Sequence, residues 1–459
     1  MHKNILIVVA ITILFLGTSI TSTVAFDNIK INSVPNSYGY TLYVGGAGPG
    51  NYTKIQDAID NASDGDTVFV FNGTYFENIE INKSIRLFGE NREKTIIDGD
   101  GGIMVVSLIL MALVESVTVK GFTIQNGRIG INYDTGINNI NSNSIFPNHN
   151  HSSSAGFSNN IIINNEIGII VGWWSENVDL YNNVIMKNKK GVLLEPNTNF
   201  NWVFENSIMD NNYGICADYS SFNNIFDNFI SSNKNDGISL SNSYSNTITG
   251  NTISLNKNNG IYLYSHSEGN SIEKNNIFDN NLGICLDSHC NFNDIEGNNF
   301  SNNDWKGILF TSSSGNTIKN NKISNSEHSI IFSNSSNNNV SGNIITENSY
   351  GFNINNKSKY NTILGNIISN NHYGMIIGNP ILPTLSIGNV IDGSNFNRII
   401  KNNFNKNYQH AIFDGCWKNI WKENYWGRPR ILPKIIYGGI FLFPWYNFDW
   451  HPAKNPYEI

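Results

Sequence analysis

From residue 160 to residue 404 the chain alternates short apolar patches with polar corners, and the patches return on a fixed beat. Glycines that open a Gly-hydrophobic step stand at Gly168, Gly191, Gly214, Gly237, Gly260, Gly283, Gly307, Gly351 and Gly374, with Ser329 filling the one missing place. The step therefore recurs every 22 to 24 residues. Ile225, Ile248, Ile272, Ile295, Ile318, Val340 and Ile363 keep time with it, each with Asn two places before and three places after. Ile230, Ile253, Ile277, Phe300, Ile323, Ile345 and Ile368 follow five residues later. A period of this length carrying three apolar patches predicts a solenoid of three strands per coil. Within Gly237-Ile238-Ser239-Leu240-Ser241 the side chains alternate, so Ile238 and Leu240 share one face and the serines the other. Each strand then pairs in parallel with its counterpart one coil on, at about 4.8 Å, and the inward aliphatics stack into one long core.

The asparagines belong to the corners. Asn tolerates left-handed backbone and bonds its own turn. Identical amides piled coil upon coil also bond one another, as in cross-β assemblies. Asn228, Asn251, Asn275, Asn298, Asn321, Asn343 and Asn366 are predicted to form such a column. A disordered Asn-rich tract is excluded by the isoleucines, which hold register throughout.

An open stack exposes a strand edge at each end and needs a cap there. Tyr52–Ala62, with Ile55, Ala58, Ile59 and Ala62 on one face, reads as a helix over the first edge. The other end is rich in Trp and Pro, with Trp417, Trp421, Trp426, Trp445 and Trp450 plus Pro429, Pro433, Pro444 and Pro452, and proline cannot extend a ladder. Ile435–Phe443 reads as a buried strand. The predicted organisation is a secretory leader at 1–25, a linker at 26–41, the N-terminal cap and first rungs at 42–110, repeats at 111–404 and a C-terminal cap at 405–459. The Ser/Asn/His-rich stretch 134–159 loses the register and reads as an inserted loop.

The repeat, the opening YTKIQDAIDNASDGDTVFVFNGTYFENIEINKSIRLFGENREKTIIDG and the tail NYWGRPRILPKIIYGGIFLFPWYNFDWHPAKNPYEI resemble the NosD-like proteins of the pectin-lyase-like superfamily, notably members on archaeal cell surfaces. The resemblance implies an all-β right-handed parallel β-helix, a scaffold that hosts lyases, hydrolases, epimerases and adhesive proteins.

Composition narrows the partners. The net charge is −7 and no Lys/Arg run occurs, so nucleic acid and anionic lipid are unpromising. His2 and Lys3 precede an apolar run ending at Leu16 and small residues up to Ala25. That is the pattern of a cleaved leader and is too short to span a bilayer. Nothing further along predicts a membrane anchor, and the expected location is secreted or cell-surface. Four cysteines are too few for a disulfide framework.

Candidate chemistry was sought on outward positions counted from each glycine. Two residues on stand Leu193, Cys216, Ser239, Tyr262, Cys285 and Leu309; four on stand Glu195, Asp218, Ser241, Tyr264, Asp287 and Thr311. Glu195 and Asp218, one coil apart at about 5 Å, match the carboxylate separation of a retaining glycosidase. The bland alternative is two solvated acids. Lyases of this fold add calcium-binding Asp and a Lys or Arg base, and neither cation recurs on these columns. Tyr262 and Tyr264 beside Asp287 suit a sugar, the rings stacking on a pyranose and the polar groups taking hydroxyls. Alternatively, such rings stabilise the sheet alone. His266, Cys285, His289 and Cys290 together offer ligands for a divalent or copper ion, an idea the NosD resemblance also implies. A Cys285–Cys290 disulfide or unpaired thiols are the alternatives. The reading that results is a structural or adhesive rod binding a polysaccharide or cell-surface glycan. A polysaccharide lyase, hydrolase or epimerase is the second reading, and copper handling the third.

Overall fold

Each coil is laid down as three strands, as in Asn259–Tyr264, Ser271–Glu273 and Asn276–Phe278. Pairing runs in parallel to the next coil: Ile261 with Ile284, Ile272 with Ile295, Ile277 with Phe300. We call the three resulting ladders the glycine sheet, the second sheet and the third sheet. The structure, a computed structural model, describes residues 39–109, 116–134, 155–378, 393–440 and 443–459. The predicted leader at 1–25, nearly all of the predicted 26–41 linker and residues 135–154 of the predicted insertion lie outside the described residues. Among the described residues the third sheet has 15 strands, and a terminal antiparallel hairpin links the other two sheets into one. The expected parallel β-helix is thus the architecture.

Periodicity translates directly into packing. Ile238, Ile261, Ile284, Ile308 and Ile330 stack inside the glycine sheet, all wholly buried. Each contributes on the order of 1.5–3 kcal/mol of transfer free energy. At the repeat glycine the coils close in: a Cβ on Gly237 would meet the Gly260 carbonyl oxygen at 2.7 Å and Ile253 Cγ2 at 3.0 Å. That crowding is why the beat is marked by glycine.

The corner asparagines point inward. Asn275 donates from Nδ2 to the Ile248 carbonyl (2.9 Å) and to Asn298 Oδ1 (3.0 Å), and its own Oδ1 accepts the Asn251 backbone N–H (2.9 Å) and Nδ2 (3.0 Å). The predicted column extends from Asn160 to Asn424, and further amide columns line the other corners, as in Asn246–Asn270 and Asn256–Asn280. One detail differs from expectation. The left-handed residue is the one preceding each ladder amide: Asp227, Gly250, Lys274, Gly297 and Asn320 have φ of 53–67°. The asparagines themselves supply buried valence for backbone groups that the bend leaves unpaired. A serine column fills the remaining corner, with the Ser220 N–H bonded to Ser243 Oγ and the Ser243 N–H to Ser267 Oγ.

Both ends are closed. The helix Ile55–Asn61 buries Ile55, Ala58 and Ile59 over the first coils. Glu77 accepts the N–H groups of Ile55 and Gln56, while the Lys83 ammonium donates to the carbonyls of Ile59, Asp60 and Ala62. Opposite charges thus meet the two ends of the helix dipole. At the far end the parallel ladders run on through Ile420–Lys422 and Tyr425–Trp426. The segment read as a buried strand at Ile435–Phe443 instead belongs to a hairpin, Lys434–Ile440 against Phe443–Asp449, and Ile435 is 39% exposed. Trp421 and Trp426 are packed in, whereas Trp417, Trp445 and Trp450 remain exposed.

Candidate functional site on the glycine sheet

Alternation turns the positions two and four residues after the glycine outward; the residue before the glycine joins them because the chain bends there, the glycine and the residue after it both facing the core. Tyr262 stands between Ser239 and Cys285 in register, and Tyr264 opposite Ser241. With small neighbours on both sides the two tyrosines lean together, their ring centroids 4.8 Å apart and planes 15° from parallel. Ser239 and Cys285 lie low beside them, each 8% exposed. Burial, followed by the charges of Cys285 and Asp287, raises the pKa of Tyr262. The Cys285 thiol, outward by alternation yet covered, is pushed up to about 12 by burial first and Asp287 second. It is protonated at neutral pH.

The residue before the glycine adds groups that the sequence reading passed over, because it began counting at the glycine. Asp236 is 5% exposed, and its Oδ1 accepts the Asn259 N–H (3.1 Å), Asn259 Nδ2 (2.8 Å) and Asn258 Nδ2 (3.0 Å). Burial still outweighs these bonds and raises its pKa. Lys306 pairs in register with Leu282 and His328. It is 9% exposed, its Nζ sits 3.4 Å from the Trp305 ring centroid, and among the described residues it makes no salt bridge. Burial holds its pKa down. His328 stacks on Tyr350 at 4.4 Å, and its Nδ1 is buried without a hydrogen-bond partner. Its pKa is also lowered by burial. The available signal was a polar residue where other coils place Ile129, Ile167 or Leu282.

The other candidates are distributed differently. Glu195 has a raised pKa, caused by burial and then by Asp134, with Lys190 opposing; Asp218 is not among the causes. The acid that Glu195 senses lies two coils back, across Gly172, which has no side chain to separate them. Asp218 keeps its place opposite Ser241 in the neighbouring coil. His266 and His289 stack at the corner, ring centroids 5.2 Å apart. Cys290, however, faces the interior: it is wholly buried, donates to the Asp287 carbonyl at 3.0 Å, and its N–H bonds Ser313 Oγ. It occupies one rung of the serine column, and burial pushes its thiol to about 12. No disulfide joins any of the four cysteines.

The family model described as periplasmic copper-binding protein (NosD) matches residues 59–236, 158–306 and 288–431, together most of the chain. The chain belongs to the NosD family. No curated protein is significantly similar to it in sequence. Among solved structures it is similar to the A-module of a mannuronan C-5 epimerase from Azotobacter vinelandii, at 15% identity and a TM-score of 0.48, over 80% of this chain and 97% of that one. It is also similar to the catalytic unit of a GH87 α-1,3-glucanase from Streptomyces thermodiastaticus, at 16% identity and a TM-score of 0.48, over 78% and 68%. These are likenesses of coil architecture, and the fold rests on the ladders described above. Among the described residues the copper of the family description finds no fitting donor set. The two histidines are at a corner, the Cys285 thiol is covered and the Cys290 thiol points into the core. Among the described residues no group of three or more His, Cys, Asp or Glu side chains is placed to hold a metal ion. No helix among them is long and apolar enough to cross a membrane.

Proposed function

We propose that this NosD-family rod is an extracytoplasmic glycan-binding protein, with an extended saccharide lying along the glycine sheet across Tyr262, Tyr264, Asp287, Asp236 and Lys306. One observation carries the reading: buried or half-buried hydroxyl, carboxylate and ammonium groups gather beside paired tyrosine rings on one face in adjoining coils. A saccharide needs that mixture, apolar surface for its C–H face and fixed polar groups for its hydroxyls. The coil spacing also lets successive sugar units meet successive coils. A glycan array followed by calorimetric titration tests it. Tyr262→Ala and Lys306→Met are each expected to weaken binding of the best hit. No glycan bound, or binding indifferent to both changes, ends the proposal.

Catalysis at the same face is the second reading, and Lys306 favours it. Burial draws the Lys306 pKa down, the direction required of a general base, and burial keeps the proton on the Tyr262 hydroxyl. Glu195 and Asp218 stand on the same face, toward the N-terminal end. Release of reducing ends or unsaturated products from the bound glycan, abolished by Lys306→Met, is the result that would convert binder into enzyme.

A further inference from the structure

A second charged feature lies at the C-terminal end, away from the tyrosines. Gly427, with φ of +74°, turns the chain out of the third sheet, and Arg428, Pro429, Arg430 and then Lys434 follow. The buried Trp426 lies beneath His410 and Lys434: the His410 ring centroid is 6.2 Å from it and the Lys434 Nζ 5.8 Å from its ring. The Nε of Arg430 is buried and makes no hydrogen bond.

Among the described residues no carboxylate answers these cations. Asp449 is occupied, accepting the N–H groups of Glu423, Asn424 and His451 together with Asn424 Nδ2 and Trp426 Nε1. Glu423 is taken by Lys401 and Lys422. Among the described residues neither arginine nor Lys434 makes a salt bridge. Each therefore acts on the others. Lys434 is lowered by burial and then by Arg430 and Arg428; His410 falls to about 4 through burial and then Lys434 and Arg430. Such an arrangement costs the cap stability, since Arg430 and Lys434 are partly buried like charges that repel and are incompletely solvated. The whole chain is acidic, so a general basic character does not account for it.

We propose that the C-terminal cap binds an oxyanion, a carboxylate, sulfate or phosphate group, between Arg428, Arg430 and Lys434. Guanidinium forks match the planar edges of these groups, and Lys434 supplies a point charge beside them. The site is independent of the glycine-sheet reading. The acidic group can arrive free or as a substituent of an acidic saccharide.

Isothermal titration of the full chain with sodium sulfate, against sodium chloride at matched ionic strength, is the test. Wild type is expected to bind sulfate in preference to chloride. Arg430→Gln and Lys434→Gln should each weaken sulfate roughly tenfold. The same substitutions should raise the melting temperature of the ligand-free protein at low salt, because repulsion is relieved. The exposed Arg428→Gln gives the same readout should either of the others fail to fold. Tyr262→Ala should leave sulfate binding untouched, which separates this site from the glycan face. Tighter binding of trigalacturonate than of galacturonate assigns the anion to a saccharide, and equal binding assigns it to a free ion; both support the site. Sulfate binding no better than chloride overturns it. So do cap variants that melt earlier while keeping wild-type sulfate affinity.

Discussion

Two lysines on two faces of the same coils behave in opposite ways. Lys319, on the second sheet, is held by Glu296 at 2.9 Å and Asp294 at 3.3 Å, and these bonds raise its pKa. Lys306, on the glycine sheet, lies against Trp305 and makes no salt bridge among the described residues, and burial lowers its pKa. Two groups of aromatic residues show the same contrast. On the second sheet Tyr181, Phe204 and Phe226 form a column of parallel rings 5.1 and 4.9 Å apart, each ring a neighbour's support. On the glycine sheet Tyr262 is flanked by a serine and a thiol. A solenoid forces every side chain to sit beside its counterpart one coil on. Where counterparts match or have opposite charge, the column stabilises the rod. Where they differ, polar groups are left with unused valence, which is the raw material of a site.

The sharpest way to break this comparison is to remove what both faces share. Asn275→Leu removes the acceptor of the Asn251 N–H and Nδ2 and the donor to Ile248, all buried. A loss of roughly 3 kcal/mol or more in denaturant unfolding is expected. Next, Phe204→Ala should cost about 1–2 kcal/mol through lost ring contacts without altering glycan binding. Tyr262→Ala should reverse that balance, costing binding more than stability.

The two lysines should then separate by pH. For Lys306 the folded pKa is below the unfolded one, so the unfolded chain binds more protons and stability rises with pH up to the ordinary lysine pKa. For Lys319 the folded pKa is raised, so its contribution is present below the ordinary lysine pKa and is lost as pH climbs through the folded value. Melting curves across the alkaline range for Lys306→Met and Lys319→Met should therefore shift the pH slope in opposite directions. Parallel shifts would mean the two environments are alike. The smallest effect expected is with metal. Copper or zinc, followed by chelator, should leave wild type and His289→Ala melting together, because the thiols needed to complete a site are covered or inward. Stoichiometric uptake lost in His289→Ala would reverse that view.

The fold was legible because its rule is repeated: glycine where coils approach, isoleucine inside, asparagine at the bend. The single registers were also right, including Tyr262 beside Cys285 and the Asn228–Asn366 column. The site was only half legible. Alternation holds within a strand and fails at a corner, so adjacency in CLDSHC suggested that His289 and Cys290 act together when the chain turns between them. Asp236, Lys306 and His328 were hidden for a related reason. They precede the glycine, at a bend where outward direction follows from three-dimensional path and not from a count of two. Their burial depends on neighbours such as Trp305 and Tyr350, which no local pattern specifies.

Asp449 shows how such a rod stops. Every amide in the Asn228–Asn424 column both receives from the coil before and gives to the coil after, so an asparagine at the last place would carry a donor with nowhere to go. A carboxylate receives the bonds of Asn424 and Trp426 and has no N–H to offer. The exchange of one nitrogen for one oxygen acts as punctuation. By the same logic, spontaneous deamidation of an interior amide would write a full stop in mid-sentence, and Asp449→Asn would leave the last line open for another molecule to continue.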